Sequence, residues 1–230
     1  MDLEQLRDQL SAIDRQILEL VAERQRLSGD IGALKRATGR PTRDFGREKQ
    51  VLDRARALAG SLGVSSALAE ALLSLLIRSS LANQEQARVR AEGQGSGKPA
   101  LVIGGSGKMG RWFTEFLQSQ GFSVTVADPA GPVPGFPHAA DWRDTADEFA
   151  VTVVSAPIPL TGGILHDLGA RQRRGLIFDI GSLKTPFIPE LKALCNRGLR
   201  VTSVHPMFGP DTELLSGRHV LFLDVGCPDA

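Results

Sequence analysis

Leu20-Val21-Ala22-Glu23-Arg24-Gln25-Arg26-Leu27-Ser28-Gly29-Asp30-Ile31-Gly32-Ala33-Leu34-Lys35, residues 20–35, decides how the first third of the chain folds. Apolar residues recur through and upstream of it at alternating spacings of three and four: Leu3, Leu6, Leu10, Ile13, Ile17, Leu20, then Leu27, Ile31 and Leu34. That period belongs to an amphipathic helix with a continuous apolar seam. Position 24 alone breaks it. A guanidinium buried in such a seam costs roughly several kcal/mol unless an anion meets it. The break predicts a helix that holds a negatively charged partner at Arg24.

Working outward, Gly39-Arg40-Pro41 ends this helix near Ala37, because proline cannot continue the hydrogen-bond ladder. Asp44 is a suitable N-cap for a second helix reaching about Gly60, and a third is expected from Ser65 to about Arg88. Residues 1–90 therefore read as an all-α three-helix module. The Gly/Ser/Gln-rich stretch 91–99 reads as a flexible linker. Beyond it, short β-branched runs alternate with helical segments, which predicts an α/β doubly wound domain over 100–230 with a parallel sheet. Its expected strands are 100–104, 123–127, 151–155, 175–180, 200–205 and 219–225, and 129–137 reads as a surface loop.

Bulk properties exclude several functions. Residues 1–90 carry 15 Lys and Arg against 12 Asp and Glu, and residues 91–230 carry 12 against 14, so neither part has the basic excess of a nucleic-acid binder. No apolar run reaches the roughly 18 residues of a membrane span, and Met1-Asp2-Leu3-Glu4 lacks the features of a signal peptide; a cytoplasmic location is the expectation. Cys195 and Cys227 match no metal-ligand or redox spacing, so no metal site is expected. Tyrosine is absent, which excludes a tyrosine acid or base.

Arg24 and Lys35 are 11 residues apart. They differ by about 20° around the helix and by roughly 16 Å along it, so long side chains can converge on one small ligand. Arg7 lies 17 residues before Arg24, roughly 25 Å away on the same rod, and reaches such a ligand only from an antiparallel partner. In the third helix an apolar line through Ala69, Leu73 and Leu76 continues as Ser80 and Gln84, while Asp44, Arg47 and Glu48 cluster at the start of the second. A bundle whose charges are merely solvated is the alternative.

These residues resemble the all-helical class of chorismate mutases. The similar stretches are Leu6-Arg7-Asp8, Ala22-Glu23-Arg24, residues 31–35, residues 40–44, Arg47-Glu48 and residues 80–84. The resemblance implies a domain-swapped homodimer whose sites each take one arginine from the partner, and the rearrangement of chorismate to prephenate. It implies that the partner's Arg7, together with Arg24 and Arg47, binds carboxylates. By the same resemblance Lys35 and Gln84 donate hydrogen bonds to the ether oxygen, Glu48 holds the ring hydroxyl, and Asp44 and Ser80 complete the shell. Gln84 donates without needing a proton, so an acid-confined rate optimum is not expected.

In the second module, Gly105-Ser106-Gly107-Lys108-Met109-Gly110 follows an apolar strand and opens a helix, the arrangement that admits a pyrophosphate. Asp128 ends the next strand 18 residues after Gly110, where a carboxylate would hold a ribose 2′-hydroxyl and favour NAD over NADP. A glycine loop that holds no nucleotide is the alternative. With Asp179-Ile180-Gly181-Ser182-Leu183-Lys184 and His205-Pro206-Met207-Phe208-Gly209-Pro210-Asp211, the stretch resembles prephenate dehydrogenase, and the order of modules resembles the bifunctional T-protein family of tyrosine biosynthesis. That resemblance implies a Rossmann-type domain, His205 as the base that takes the ring-hydroxyl proton, Ser182 as its orienting partner, and Lys184 near the substrate's charge. Family members continue with a helical domain that completes the substrate pocket, whereas this sequence ends 25 residues after His205; weak or absent dehydrogenase turnover is the expectation. A helical dimerisation module on a regulatory or non-catalytic NAD-binding domain is the competing reading.

Overall fold

The computed structural model describes residues 2–146 and 148–228. It divides into two compact units, Met1–Arg88 and Val89–Ala230; Met1, Asp147, Asp229 and Ala230, the last the end of the expected second domain, lie outside the described residues.

The first unit is built from three helices, α1 (Leu3–Ala37), α2 (Phe45–Ser61) and α3 (Ser66–Ala91). A capping box starts α1: the Asp2 carboxylate accepts from Gln5 N at 2.8 Å, and Gln5 Oε1 accepts from Asp2 N at 3.0 Å. Asp44 caps α2 by accepting from Arg47 N at 2.9 Å. Each reciprocal bond satisfies an N–H that the helix itself leaves open.

The faces of α1 are arranged otherwise than the seam suggests. The residues of α1 withdrawn from solvent are Val21, Arg24, Gln25, Ser28, Gly32, Lys35 and Arg36; of these Arg24, Gln25 and Ser28 bond to α3, and Lys35 bonds to the loop before α2. The apolar seam points away: Leu6 is 46% exposed, Ile13 51%, Ile17 47% and Leu34 66%. Among the described residues the buried apolar side chains of this unit are Ala59, Leu81 and Ala82. Gly32 sets the closest approach, since a Cβ there would lie 2.6 Å from Gln84 Cγ.

The second unit is a seven-stranded sheet ordered β3-β2-β1-β4-β5-β6-β7. Its strands are β1 (Pro99–Ile103), β2 (Ser123–Ala127), β3 (His138–Ala139), β4 (Glu148–Val154), β5 (Arg174–Asp179), β6 (Arg200–Pro206) and β7 (Val220–Leu223). Three helices connect them: α4 (Lys108–Ser119), α5 (Ile158–Ala170) and α6 (Ile188–Asn196). The strand order turns on either side of β1, which places a crevice at the carboxyl ends of β1 and β4. One apolar cluster joins Leu101, Val154, Ile177 and Val201 to Leu165, Phe187 and Leu191, and a second joins Ala100, Val102 and Val153 to Phe113 and Leu117.

Three features depart from the expectation. Strand β7 pairs antiparallel to β6, because residues 207–219 contain no helix and a parallel return requires a crossover. Strand β3, two residues long, was not expected. The stretch 91–99, read as a flexible linker, is tied to the α4–β2 turn: Gly95 N donates to Gln120 O and Gly97 N to Gly121 O, both at 2.8 Å. A Cβ on Gly95 would lie 2.4 Å from Gly121 C, so glycine serves close backbone approach there.

Gly110→Ala tests the packing of α4. Its Cβ would fall 2.0 Å from Gly104 O, a backbone atom, whereas a Cβ on Gly163 meets nothing within 4 Å. In urea denaturation Gly110→Ala is expected to lose about 2 kcal/mol or more, and Gly163→Ala to lose nothing.

Candidate functional site

In the helical unit a cavity of about 250 Å³ is lined by Arg24, Ser28, Lys35, Thr42, Asp44, Arg47, Glu48, Ser80 and Gln84, with Leu27, Ile31, Val51, Ile77 and Leu81 as its apolar wall. Each helix contributes. Arg24 Nη1 donates to Ser80 Oγ at 2.8 Å and to Leu76 O at 3.0 Å, which fixes one edge of the guanidinium against α3. Burial lowers its pKa from the ordinary arginine value, and arginine nevertheless stays charged. Ser80 Oγ donates onward to Gln25 Oε1 at 3.2 Å, and Gln25 Nε2 donates to Ser79 Oγ at 2.9 Å.

Lys35 Nζ donates to Thr42 O at 2.6 Å, so the loop between α1 and α2 holds the ammonium at the cavity. The Glu48 carboxylate accepts two bonds from Arg43, at 2.9 and 3.1 Å, and Arg43 in turn lies over the Phe45 ring, 4.4 Å from its centroid. The bond to Glu48 is the main reason the Arg43 pKa is raised. Gln84, 7% exposed, donates from Nε2 to Ser28 Oγ at 2.7 Å and to Ser28 O at 2.9 Å. Its Oε1 is buried without a hydrogen-bond partner in the structure. Three cations, Arg24, Lys35 and Arg47, with neutral donors and the two carboxylates of Asp44 and Glu48 suit a small ligand with more than one anionic group. Arg7 is exposed and lies outside this cavity.

In the second unit a cavity of about 1110 Å³ opens at the ends of β1, β2 and β4, lined by Gly104, Gly107, Asp128, Pro129, Ala130, Ser155, Ala156 and the first turns of α5. Gly104 has φ +82°, and a Cβ there would lie 2.5 Å from Ser155 O. Gly107 caps α4 with no side-chain bond, leaving the helix's first N–H groups for an anion. The Asp128 carboxylate accepts from Ser106 N at 2.9 Å and Ala130 N at 2.8 Å, which locks the glycine loop to the end of β2. A dinucleotide fits this cradle: Gly104, Gly105 and Gly107 have no side chain to obstruct a pyrophosphate, the Ser106 hydroxyl is taken up by Gly131 O, and Asp128 keeps further lone pairs for a ribose hydroxyl. Gly107 and Asp128 line the cavity; Gly105, Lys108, Met109 and Gly110 do not, and Gly105 and Gly110 instead permit close packing on Val126 and Gly104.

His205 lies near the end of β6, opposite Leu221 of β7, and is half-buried. The loop that follows is anchored to α4: Phe208 packs on Trp112 with centroids 4.9 Å apart, and Trp112 Nε1 donates to Thr212 O at 3.3 Å. Ser182 is exposed, and no hydrogen bond joins it to His205 among the described residues. Lys184 is turned inward, donating to Asp179 Oδ1 at 2.7 Å and to Val204 O at 2.9 Å, so its charge is engaged within the fold rather than offered beside His205. Burial lowers the Lys184 pKa, and the bond to Asp179 only partly offsets this. Ser203 Oγ donates to the other Asp179 oxygen at 2.5 Å.

The helical unit matches the model of the type II chorismate mutase family over residues 6–85. It is also 34% identical over 84 residues to a chorismate mutase of Methanocaldococcus jannaschii, covering 85% of that protein and 36% of this chain. The chain belongs to the chorismate mutase family. The model of the prephenate dehydrogenase nucleotide-binding domain matches residues 135–224, which begin after the glycine loop. T-proteins of Enterobacter agglomerans and Haemophilus influenzae are 29% and 28% identical over 100% and 99% of this chain. The chain spans 59% and 58% of the length of those relatives.

The mutase-family cavity thus gathers Arg24, Lys35, Asp44, Arg47, Glu48, Ser80 and Gln84, seven residues that sequence reasoning singled out, and leaves Arg7 apart. Reasoning from the seam missed Ser28 and Gly32. Both follow Arg24 at spacings of four on one helix face, and that repeat was the available signal. In the second unit it missed Trp142, Arg143 and His166, which line the large cavity from outside any strand-end motif.

Replacing Lys184 tests the buried pair, whose side chains are 9% and 0% exposed. Lys184→Met is expected to lose about 3–5 kcal/mol in urea denaturation, because Asp179 is left charged and unpaired. A loss below about 1 kcal/mol would contradict this.

Proposed function

We propose that residues 1–90 form a chorismate mutase domain and residues 100–230 the NAD-binding domain of a prephenate dehydrogenase, so that the product of the first is the substrate of the second. The observation that carries the proposal is the convergence of Arg24, Lys35, Arg47, Glu48, Ser80 and Gln84 on one small cavity. The rearrangement needs no covalent intermediate, so the enzyme acts by holding the reactive conformer and stabilising charge on the breaking ether bond. Arg24 and Arg47 hold carboxylates, Lys35 and Gln84 face the ether oxygen, Glu48 takes the ring hydroxyl, and Asp44 and Ser80 support them.

An exposed apolar seam on α1 and few buried apolar residues favour a homodimer in which two copies of α1 pack along that seam. Antiparallel packing brings the partner's Arg7 to the cavity as a further carboxylate ligand.

In the second domain Gly107, the first turn of α4 and Asp128 are assigned to the dinucleotide, with Gly105 and Gly110 shaping the loop and Lys108 and Met109 beginning the helix. The Asp128 carboxylate favours NAD over a 2′-phosphorylated cofactor. Bound NAD supplies the hydride acceptor. His205 takes the ring-hydroxyl proton as the ring becomes aromatic and carbon dioxide leaves, giving 4-hydroxyphenylpyruvate. Ser182 orients this site from the loop that Lys184 anchors.

Chorismate consumption by the purified chain, followed with NADH formation, tests the reading. Consumption is expected without a rate optimum confined to acid pH, since the Gln84 amide donates without needing a proton. Lys35→Ala is expected to lower kcat about 100-fold with the dimer intact. Stable chorismate would leave a helical module that only dimerises a nucleotide-binding domain, and an unchanged rate in Lys35→Ala would overturn the role given to Lys35.

A further inference from the structure

Gln84 as it stands has no hydrogen to give to a ligand. An amide nitrogen carries two, and both go to Ser28: one to the hydroxyl at 2.7 Å, one to the main-chain carbonyl at 2.9 Å. The amide oxygen is buried without a partner. The residue is held on the cavity wall, its Cγ pressed toward Gly32, so it cannot swing to another neighbour without moving α3. The motion open to it is a half-turn of the amide plane about the last side-chain torsion, which has a broad two-fold profile.

That half-turn would place Nε2 where the unpartnered oxygen now lies and bring Oε1 to Ser28. There the two groups of Ser28 differ. The carbonyl can only accept and would repel an oxygen; the hydroxyl rotates to donate as readily as it accepts. We infer that Ser28 is a positioning residue for the mutase reaction, its hydroxyl supplying the hydrogen bond that holds Gln84 in the reversed, ligand-donating orientation. The inference rests on the mutase reading and adds to it a residue that acts through Gln84. It also accounts for a polar residue one turn from Arg24 on the inward face of α1.

Two measurements on the full chain test it. Ser28→Ala is expected to lower kcat about three- to tenfold, the worth of one hydrogen bond, with KM within about twofold and the chain still folded at the assay temperature. In a Gln84→Glu background, where turnover needs a protonated carboxyl, the Ser28 hydroxyl bonds to the charged form and holds its pKa down. Adding Ser28→Ala there should move the alkaline limb of the rate profile upward by about half a pH unit or more, since activity is lost as the carboxyl ionises. A wild-type kcat in Ser28→Ala, or a limb that does not move, overturns the assignment. Wild-type protein that leaves chorismate unchanged is a separate result, which removes the mutase reading and this inference with it.

Discussion

Arg24 stays ionised at any physiological pH, so the helix that carries it must provide a place for a charge. The structure does so with two oxygens of α3, the Ser80 hydroxyl and the Leu76 carbonyl, on one edge of the guanidinium. Neither oxygen is charged. The cation is therefore positioned but not neutralised, and a ligand that arrives with a carboxylate gains an ion pair whose geometry is already set. Ser80, Gln25 and Ser79 extend the same contact, and Gly32 lets Gln84 close in two turns further on. The helical unit is organised around this polar contact between α1 and α3 rather than around an apolar core.

The apolar seam follows from that arrangement. A helix has one face toward its own unit, and on α1 that face is occupied by Arg24, Gln25, Ser28, Gly32 and Lys35. Leu6, Leu10, Ile13, Ile17 and Leu20 consequently stand in solvent in the single chain, an apolar stripe too long to be left uncovered at no cost, while Leu27 and Ile31, also about half exposed, border the cavity. In the proposed homodimer a second copy would cover this stripe with residues of its own kind, and the isologous contact would return the far end of each helix to the other's cavity.

The two units differed in how far the sequence alone disclosed them. The doubly wound unit was legible because its code is local: β-branched runs mark the strands, and glycine at 105, 107 and 110 marks the turn that opens α4, where a Cβ on Gly110 would meet Gly104 O. The antiparallel β7 was not legible, since direction depends on a connection that carries no helix. In the helical unit Arg24, Ser80 and Gln84 were found because they interrupt periodicity, Lys35 by its spacing from Arg24, and Asp44, Arg47 and Glu48 as a cluster of charges, whereas the facing of the seam was misread. Hydrophobic period reports which residues share a face; it does not report whether that face meets the same chain or another. Ser28 escaped notice for the opposite reason, being a small polar residue that interrupts nothing. Lys184 was placed by motif beside a substrate, but burial beside Asp179 gives it a partner within the fold.

The central claim is that the cavity of one copy is completed by the seam helix of another. Mixing two variants tests it directly: Arg7→Ala and Lys35→Ala, each purified, then unfolded and refolded together so that subunits exchange. Each alone damages both sites of its dimer. In a hybrid one site carries both defects and the other carries neither, so random pairing should restore about a quarter of wild-type chorismate turnover. Activity in the mixture no greater than the mean of the two separate variants would contradict the account, because Arg7 would then act in its own chain or not at all.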